Sequence, residues 1–310
     1  MTSCWTSLRF SAARLSSVLP SLLLVALATF NTVQAQVPAP SSAAADVQAT
    51  ALVDKHQTLQ SRLTSSPYGR PLVLDSLQSA STVSGDVHAV LDAPFATVSR
   101  ALQNPRVWCE IMILHINTKM CRVTGAASPA MIRLNIGKKD EQHIEDTFAL
   151  DLAFQPVSSS ASHLRTRLDG AKGPLGTSNY VIELAAAALP GGKTFLHLRY
   201  ASRYGTASQL AMQAYLATVG RSKVGFSSVQ QGQTSGLVGG LRGTAERNTM
   251  RYYLAIEAYF ATLEKPAAQQ FDSRLQYWFD ATESYARQLR EMDRETYLTM
   301  KRKEYQRQAL

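Results

Sequence analysis

The stretch that decides the fold spans residues 85–111 and reads GDVHAVLDAPFATVSRALQNPRVWCEI. Its first third has the two-residue period of a β-strand, because Val87 and Leu91 fall on one face and His88 on the other. The segment PFATVSRAL then spaces its apolar residues as a helix does, and NPRVWCEIM begins a second short helix with Asn and Pro. The sequence therefore predicts a long strand followed directly by two short helices.

The same alternating period appears on both sides of this stretch. It is found before it in PLVLDS and after it in ILHINTKMCRV, MIRLNIGKK, DTFALDLAFQP, HLRTRL, NYVIEL and TFLHLRY. Nearly every segment has one apolar face, and the connections are short and rich in turn-forming residues. We therefore expect an antiparallel sheet with one apolar face and one face open to water. Within ILHINTKMCRV, this prediction places His115 and Cys121 on the face opposite Leu114.

The C-terminal third is predicted to be helical. Residues 208–220 favour a helix, and a loop rich in Gly, Ser and Gln follows it as far as Gly243. Residues 244–265 form an amphipathic helix that can cover the apolar face of the sheet. After Pro266, apolar residues at alternating steps of four and three predict one long helix over 267–308. This helix packs either against its own domain or against another chain in a coiled coil.

The order of these elements resembles the helix-grip fold of the START-like superfamily, which includes birch-pollen-allergen and polyketide-cyclase-like proteins. The resemblance rests on residues 85–111, with their Pro-Phe helix start and Trp, and on TFLHLRYASRYG, which looks like a late strand leading to the closing helix. The chain is also similar to exported bacterial proteins of unassigned function that share segments of the RNTMRYYLAI type. The resemblance implies an α+β fold in which a curved antiparallel sheet surrounds a long C-terminal helix and encloses an apolar cavity.

This interpretation divides the chain into four parts. Residues 1–35 are a signal peptide, 36–70 a linker with an N-terminal helix, and 71–264 the START-like helix-grip domain. Within this domain, 206–243 is an insertion that contains the extra helix and the Gly-rich loop. The C-terminal long helix occupies 265–310, so the fold has extra helices at both ends.

The N-terminus has the composition of a cleaved secretory signal. Arg9 and Arg14 precede the apolar run VLPSLLLVALATF, which is shorter than the ~20 residues that a membrane-spanning helix needs. Val33 and Ala35 then supply the residues that a signal peptidase requires before its cleavage site. We therefore expect a periplasmic or secreted protein.

Export changes the interpretation of the cysteines. Cys4 leaves with the signal, whereas Cys109 and Cys121 remain in an oxidising compartment, where a disulfide is the default. A metal pair or a reactive thiol is the alternative, but the spacing is not C-x-x-C and no His lies at ligand spacing beside them. We predict a bridge between Cys109 and Cys121 that fastens the helix pair to the sheet.

The charge pattern argues against nucleic acid as a partner. The chain has 32 Lys and Arg against 23 Asp and Glu, and residues 1–35 hold two Arg and no acid, so the remainder carries +7. Both signs are mixed along the chain, which is typical of a solvated surface. Transient contact with anionic membrane lipids and a protein partner at the C-terminal helix stay open as further interactions.

The sequence contains none of the common catalytic motifs, so no catalytic residue, cofactor or metal is assigned. G-x-S-x-G, H-E-x-x-H and G-x-x-x-x-G-K-[ST] do not occur. The glycines of GLVGGLRG lack the preceding strand and the following Lys of a phosphate loop. Residues 143–146, HIED, include side chains that bind metals, but they lie in a predicted hairpin turn, where such residues are usually solvated.

The predicted ligand site is the space between the apolar face of the sheet and the amphipathic helix. Its expected lining consists of Leu150, Leu152, Tyr180, Ile182, Leu198, Tyr200, Tyr253, Ile256 and Phe260. The tyrosines combine an apolar ring with a hydroxyl that can orient a polar head, and ordinary core packing is their other interpretation. We expect a pocket of ~300 to 1,000 Å³, with the Gly-rich loop from Gly225 to Gly243 as its movable cover.

Three functions fit these features. The leading one is an exported, non-catalytic binding or carrier protein for a hydrophobic small molecule or lipid, as the resemblance implies. A cyclase-like or hydrolase-like enzyme that uses the same cavity is the alternative, and a helical scaffold for a protein partner is the third. A large cavity favours the first, a His or carboxylate inside it favours the second, and a filled interior favours the third.

Overall fold

The computed structural model of the protein describes residues 42–125, 129–206, 209–210, 214, 218, 223–231 and 234–308. The signal peptide predicted over residues 1–35 lies outside this part of the chain. Within it, no helix combines the length and the apolar character that crossing a membrane requires.

Eight strands form one antiparallel sheet. They are β1 (Leu72–Gln78), β2 (Thr82–Leu91), β3 (Thr118–Thr124), β4 (Ala130–Ile136), β5 (Phe148–Ser159), β6 (His163–Lys172), β7 (Ser178–Leu189) and β8 (Lys193–Arg203). Their order across the sheet is β1-β2-β8-β7-β6-β5-β4-β3. A separate hairpin consists of β9 (Ser228–Gln231) and β10 (Thr234–Leu237).

The helices precede, interrupt and follow the sheet. They are α1 (Ser42–Thr64), α2 (Phe95–Leu102), α3 (Pro105–Met112), α4 (Gly240–Ala261), α5 (Ala267–Glu283), α6 (Ala286–Leu289) and α7 (Arg294–Gln308). Two short 3-10 turns, Ile144–Asp146 and Pro174–Gly176, lie in the connections before β5 and β7.

The opening stretch folds as predicted, with β2 followed directly by α2 and α3. The Asn104 side chain caps α3 by accepting a hydrogen bond from the Arg106 N–H (2.9 Å). The Trp108 indole N–H donates to the Leu102 carbonyl (2.9 Å) and so joins the two helices. Because β2 is next to one edge of the sheet and β3 forms the opposite edge, these helices carry the chain from one side of the sheet to the other.

Helix α4 lies on the inner face of the sheet and is buried on nearly every side. Tyr253 and Ile256 are fully buried where α4 packs against β1, β2 and β8. Helix α5 covers α4 from outside, where the Trp278 indole N–H donates to the Arg251 carbonyl (3.1 Å). A curved antiparallel sheet therefore holds a long helix, and the predicted α+β helix-grip architecture is confirmed.

The C-terminal segment is not the single long helix predicted over 267–308. Helices α5, α6 and α7 occupy it, and the Asp293 carboxylate begins α7 by accepting hydrogen bonds from Thr296. The chain folds back on itself, so that Trp278 stacks on Tyr297 with ring centroids 5.0 Å apart. The apolar spacing did not reveal the break because both halves of the pair keep an apolar face toward the same core.

The outer face of the sheet is partly covered, whereas the sequence predicts a face open to water. Helix α1 begins at Ser42, inside the segment predicted as linker, because the alanines that follow favour a helix. It packs on β1, β7 and β8. The resulting second apolar cluster consists of Leu52, Leu59, Leu63, Val73, Ala187 and Phe195.

The Gly-rich segment forms an anchored hairpin and not a loose loop. The β9–β10 hairpin lies between Gly225 and Gly243. The fully buried Glu246 carboxylate accepts hydrogen bonds from the backbone N–H groups of Phe226 (2.5 Å) and Ser227 (2.9 Å). A Cβ on Gly225 would lie 2.5 Å from Glu246 Oε2, so this approach requires glycine. Most of the helix predicted over 208–220 lies outside the described residues.

The predicted disulfide is present. It joins Cys109 near the end of α3 to Cys121 in β3, with Cα atoms 5.2 Å apart. Strand β3 begins only at Thr118, so residues 113–117 are turns, although the sequence pattern predicts a strand there. The bridge therefore closes a loop that contains these turns and fastens its two ends together.

Candidate functional site

A cavity of about 100 Å³ lies between α4 and the inner face of the sheet. Alternate residues of β4, β5 and β7 form its apolar wall, because every second side chain of a strand points inward. These wall residues are Leu134, Ile136, Leu150, Leu152 and Ile182. The remaining lining consists of His115, Asn117, Pro174, Tyr180, Tyr200, Asn248 and Tyr252. The cavity thus has one apolar side and one side rich in hydrogen-bonding groups.

A row of four rings forms the polar side. The ring centroids of Tyr180 and Tyr200 are 6.0 Å apart, and those of Tyr200 and Tyr252 are 5.9 Å apart. The Tyr252 ring stacks on the His115 imidazole at 5.0 Å. The row joins β7, β8, α4 and the loop before β3, so four separate segments of the chain build it.

His115 lies at the end of this row and is 4% exposed. Its Nδ1 atom accepts a hydrogen bond from the Asn117 backbone N–H (3.2 Å). In the neutral ring the proton therefore sits on Nε2. The Nε2 atom is buried and has no hydrogen-bond partner among the described protein atoms. A buried donor without a partner is uncommon in folded proteins, so His115 is the most informative residue of the cavity.

Burial keeps both kinds of titratable group in the cavity uncharged. It lowers the pKa of His115 well below its usual value, and the cations Arg251, Lys301 and Lys139 lower this pKa further. Burial also raises the pKa values of the Tyr200 and Tyr252 hydroxyls above the usual range of phenols. At neutral pH these groups can donate hydrogen bonds, but they are poorly suited to exchange protons with a substrate.

The cavity opens toward solvent near the turn that precedes β7. Tyr180, Asn117 and Pro174 are only partly buried, whereas all wall residues except Ile136 are almost completely buried. The Tyr180 hydroxyl lies 2.9 Å from the Thr177 hydroxyl, which fixes the ring at this opening. Asn117 lies beside His115 and Tyr180 lies at the other end of the ring row, so partly buried residues occur at both ends of the row.

A second buried histidine, His88, also has a ring nitrogen without a partner among the described protein atoms, but it stacks on His197 (4.2 Å) and does not line this cavity. No group of three or more His, Cys, Asp or Glu side chains that could hold a metal ion occurs within the described ranges. His143 and Glu145 of the HIED segment are largely exposed and 3.9 Å apart. On the outer face of the sheet, Arg133 pairs with Asp151 (2.6 Å) at a solvated position.

Comparisons with known proteins add little to this geometry. No family model and no curated protein matches the chain. A point mutant of norcoclaurine synthase from Thalictrum flavum is 11% identical, with 46% of this chain and 89% of that chain covered and a TM-score of 0.34. Human StAR-related lipid transfer protein 5 is 11% identical, with 57% of this chain and 91% of that chain covered and a TM-score of 0.29. The aromatase/cyclase from Streptomyces sp. R1128 is 12% identical, with 66% of this chain and 95% of that chain covered and a TM-score of 0.30.

Likenesses at this level carry no argument about a ligand or a reaction, so the chain's own topology decides its class. The eight-stranded antiparallel sheet, the crossover through α2 and α3 and the enclosed helix α4 are the features expected from the sequence resemblance. The chain has a helix-grip fold. Within this fold, the cavity occupies space between the sheet and the enclosed helix.

The helix-grip domain brings only some of the predicted lining residues to the cavity. Leu150, Leu152, Tyr180, Ile182 and Tyr200 line it. Leu198, Tyr253, Ile256 and Phe260 are buried in the core but do not line it. Inward parity on a strand or helix predicts burial, but it does not predict how closely neighbouring side chains fill the space. None of the described residues in the Gly-rich hairpin lines the cavity.

The helix-grip domain also brings His115, Asn248 and Tyr252 to the cavity, and the sequence did not predict them as site residues. His115 was interpreted as part of a strand, although it lies in a turn that the Cys109–Cys121 bridge closes. Asn248 is a partly buried polar residue of α4, and the polar residues Arg247 and Thr249 beside it are buried. Its polarity therefore did not distinguish it from its neighbours in the sequence.

Proposed function

We propose that this protein is an exported, non-catalytic binder or carrier of a small hydrophobic molecule, which it holds in the cavity beside α4. The observation that carries the proposal is the buried His115 Nε2 without a partner on the polar side of an otherwise apolar cavity. A buried polar group without a hydrogen bond costs ~1–3 kcal/mol. A ligand that offers an acceptor to Nε2 recovers this energy while its apolar part contacts the leucine and isoleucine wall.

The volume of the cavity limits the size of the ligand. A cavity of about 100 Å³ is smaller than the pocket expected from the sequence. An engineered apolar cavity of roughly 150 Å³ binds benzene, so a molecule near the size of one ring, or one end of a longer molecule, matches this space. The proposed ligand is therefore a compact molecule and not an entirely enclosed lipid.

The titration behaviour of the cavity favours binding over catalysis. General acid–base catalysis works best when a group titrates near the operating pH. In this cavity burial moves the pKa of His115 down and the pKa values of Tyr200 and Tyr252 up, in both cases away from neutrality. These directions support a set of fixed hydrogen-bond donors, and they give the cyclase-like or hydrolase-like alternative no specific support.

Two further features support the export and carrier parts of the proposal. The Cys109–Cys121 bridge is typical of proteins in oxidising compartments. The C-terminal helices use their apolar faces on their own domain, where Leu275, Trp278 and Tyr297 are buried. This packing reduces the apolar surface that a helical scaffold would offer to a protein partner.

The test is binding of three compounds that contain one benzene ring, toluene, methyl benzoate and benzoate, measured by titration calorimetry and by thermal stability. We expect at least one to bind, and a ligand at ten times its Kd should stabilise the fold by ~1.4 kcal/mol. Ile182→Phe places a ring in the cavity, because Ile182 lines it, and should abolish this binding.

A matched control separates blocked binding from general damage. Ile132→Phe introduces the same side chain at another buried position of the sheet that does not line the cavity. Overpacking costs ~1–3 kcal/mol, so this variant should be less stable but should still bind. If no compound of the set binds, or if Ile182→Phe binds as well as the original protein, the proposed function is wrong.

A further inference from the structure

The ring nitrogen of His115 that carries the proton determines which kind of ligand group can form a hydrogen bond with it. The Asn117 backbone N–H occupies Nδ1, so the neutral ring presents Nε2–H as a donor. The Asn248 side chain lies close enough to the ring to raise the pKa of His115, as a hydrogen bond would, but it makes no well-aligned hydrogen bond with Nε2. The group that completes this site must therefore be a hydrogen-bond acceptor.

Two charged clusters, one buried and one partly buried, lie near the segment that carries His115. In the first, the Lys119 ammonium lies 3.0 Å from the Glu304 carboxylate, and Lys301 pairs with the same carboxylate. Lys301 also donates to the carbonyls of His115 (3.3 Å) and Thr118 (2.6 Å). Burial lowers the pKa of Lys301 to about 8, so this side chain is still largely protonated at pH 7.

In the second cluster, three cations share one carboxylate. Glu291 is paired with Lys139 (2.6 Å), Arg251 (2.7 Å) and Lys223 (3.0 Å). The loop that carries Lys139 is joined to the His115 turn, because the Asn117 side chain donates to the Gly137 carbonyl (2.8 Å). Three cations of these clusters, Arg251, Lys301 and Lys139, act on the His115 ring and lower its pKa, so this end of the cavity disfavours a further positive charge.

We propose that the ligand carries a carboxylate, which accepts the Nε2–H of His115 while an aromatic or short aliphatic part lies against the Leu134, Leu152 and Ile182 wall. This inference rests on the proposed function and specifies its ligand class. A carboxylate is favoured over a neutral carbonyl because the surrounding cations offset part of the cost of removing its charge from water. A cationic ligand is disfavoured for the same reason.

The same three compounds test the inference at pH 7, where benzoate is charged and the other two are neutral. Benzoate should bind most tightly, methyl benzoate less tightly and toluene least. Hydrogen bonds to charged groups are among the stronger ones, so His115→Phe should weaken benzoate binding about 10-fold to 100-fold. The same variant should change the affinity for toluene by less than about threefold, since toluene has no acceptor.

A second variant keeps the test valid if His115→Phe does not fold. Lys139→Met removes one cation near His115 without changing the cavity wall, and should weaken benzoate binding about twofold to fivefold but leave methyl benzoate unchanged. Lys138→Met is its matched control, because Lys138 is adjacent in sequence but exposed. This control should bind benzoate normally.

The outcomes distinguish the inference from the proposed function. If toluene or methyl benzoate binds as tightly as benzoate, the carboxylate is wrong and the binding function stands. If benzoate binds most tightly but neither His115→Phe nor Lys139→Met weakens it, the assigned position of the carboxylate is wrong. If none of the three compounds binds, both the inference and the proposed function fail.

Discussion

Two buried polar residues near α4 have opposite surroundings. The Glu246 carboxylate is completely buried and accepts hydrogen bonds from the Ser76 hydroxyl and from two backbone N–H groups. His115 is almost as deeply buried, but its Nε2 has no partner among the described protein atoms. The comparison shows that burial alone does not mark a functional residue. A buried group whose hydrogen bonds are all made within the chain stabilises the fold, whereas one left incomplete beside a cavity is available to a ligand.

The largest effect should come from removing the satisfied group. Glu246→Ala leaves the N–H groups of Phe226 and Ser227 without their acceptor and detaches the β9–β10 hairpin, so we expect a loss of ~3–5 kcal/mol in the free energy of unfolding by urea. Glu246→Gln keeps an acceptor oxygen and should lose much less. By contrast, His115→Phe should change stability by less than about 1 kcal/mol. Equal losses for Glu246→Ala and His115→Phe would contradict the comparison.

The disulfide should have the next largest effect, because it closes the loop that presents His115. Replacing both Cys109 and Cys121 by Ser should lower the free energy of unfolding by about 3 kcal/mol, the loop-closure value for this separation. It should also weaken benzoate binding, because the two ends of the loop that contains His115 are then no longer joined covalently. Wild-type protein treated with a reductant serves as the control, and it should reproduce both changes. Normal binding after loss of the bridge would show that the turn holds its position without it.

The smallest effect should be the dependence of stability on acid pH. The pKa of His115 is lowered in the folded protein, so below pH ~6.5 the unfolded chain binds more protons and stability falls as the pH falls. One such histidine contributes up to ~1.4 kcal/mol for each pH unit until its own folded pKa is reached. Urea unfolding at pH 7, 6 and 5 should therefore show a steeper loss for the wild type than for His115→Phe.

The other histidines do not affect the difference in pH dependence of stability between the wild type and His115→Phe. Burial also lowers the pKa values of His88 and His163 in the folded protein. Both residues are present in the wild type and in His115→Phe, so their contributions cancel in the difference. Parallel pH profiles for the two proteins would mean that His115 is not held neutral by its surroundings.

Much of the fold was predictable because it depends on local patterns. The two-residue period gave the strands, and the PFATVSRAL and NPRVWCEIM segments gave α2 and α3. The position of α1 was not predictable in this way, although Ala187 and Phe195 are apolar residues on the outer face of their strands. The periodicity of α1 shows that it has an apolar face, but it does not show which surface that face covers.

The candidate site also has features that local patterns predicted and features that they did not. Five predicted residues line the cavity, because strand parity correctly points Leu150, Leu152 and Ile182 inward with Tyr180 and Tyr200. Tyr253 and Ile256 are also fully buried, but they do not line the cavity. The size of the cavity, about 100 Å³, depends on the packing of side chains from many segments, so no single segment predicts it.

The sequence by itself determined the α+β class, the strand–helix–helix opening and the pairing of Cys109 with Cys121. Each of these follows from spacing along the chain and from the chemistry of single residues. Only the tertiary structure decided that the C-terminal segment folds back as α5 and α7, that Glu246 is satisfied and that His115 is not. These features depend on contacts between residues far apart in the chain, and the hydrogen-bond partners of a buried group are set by those contacts and not by its neighbours in sequence.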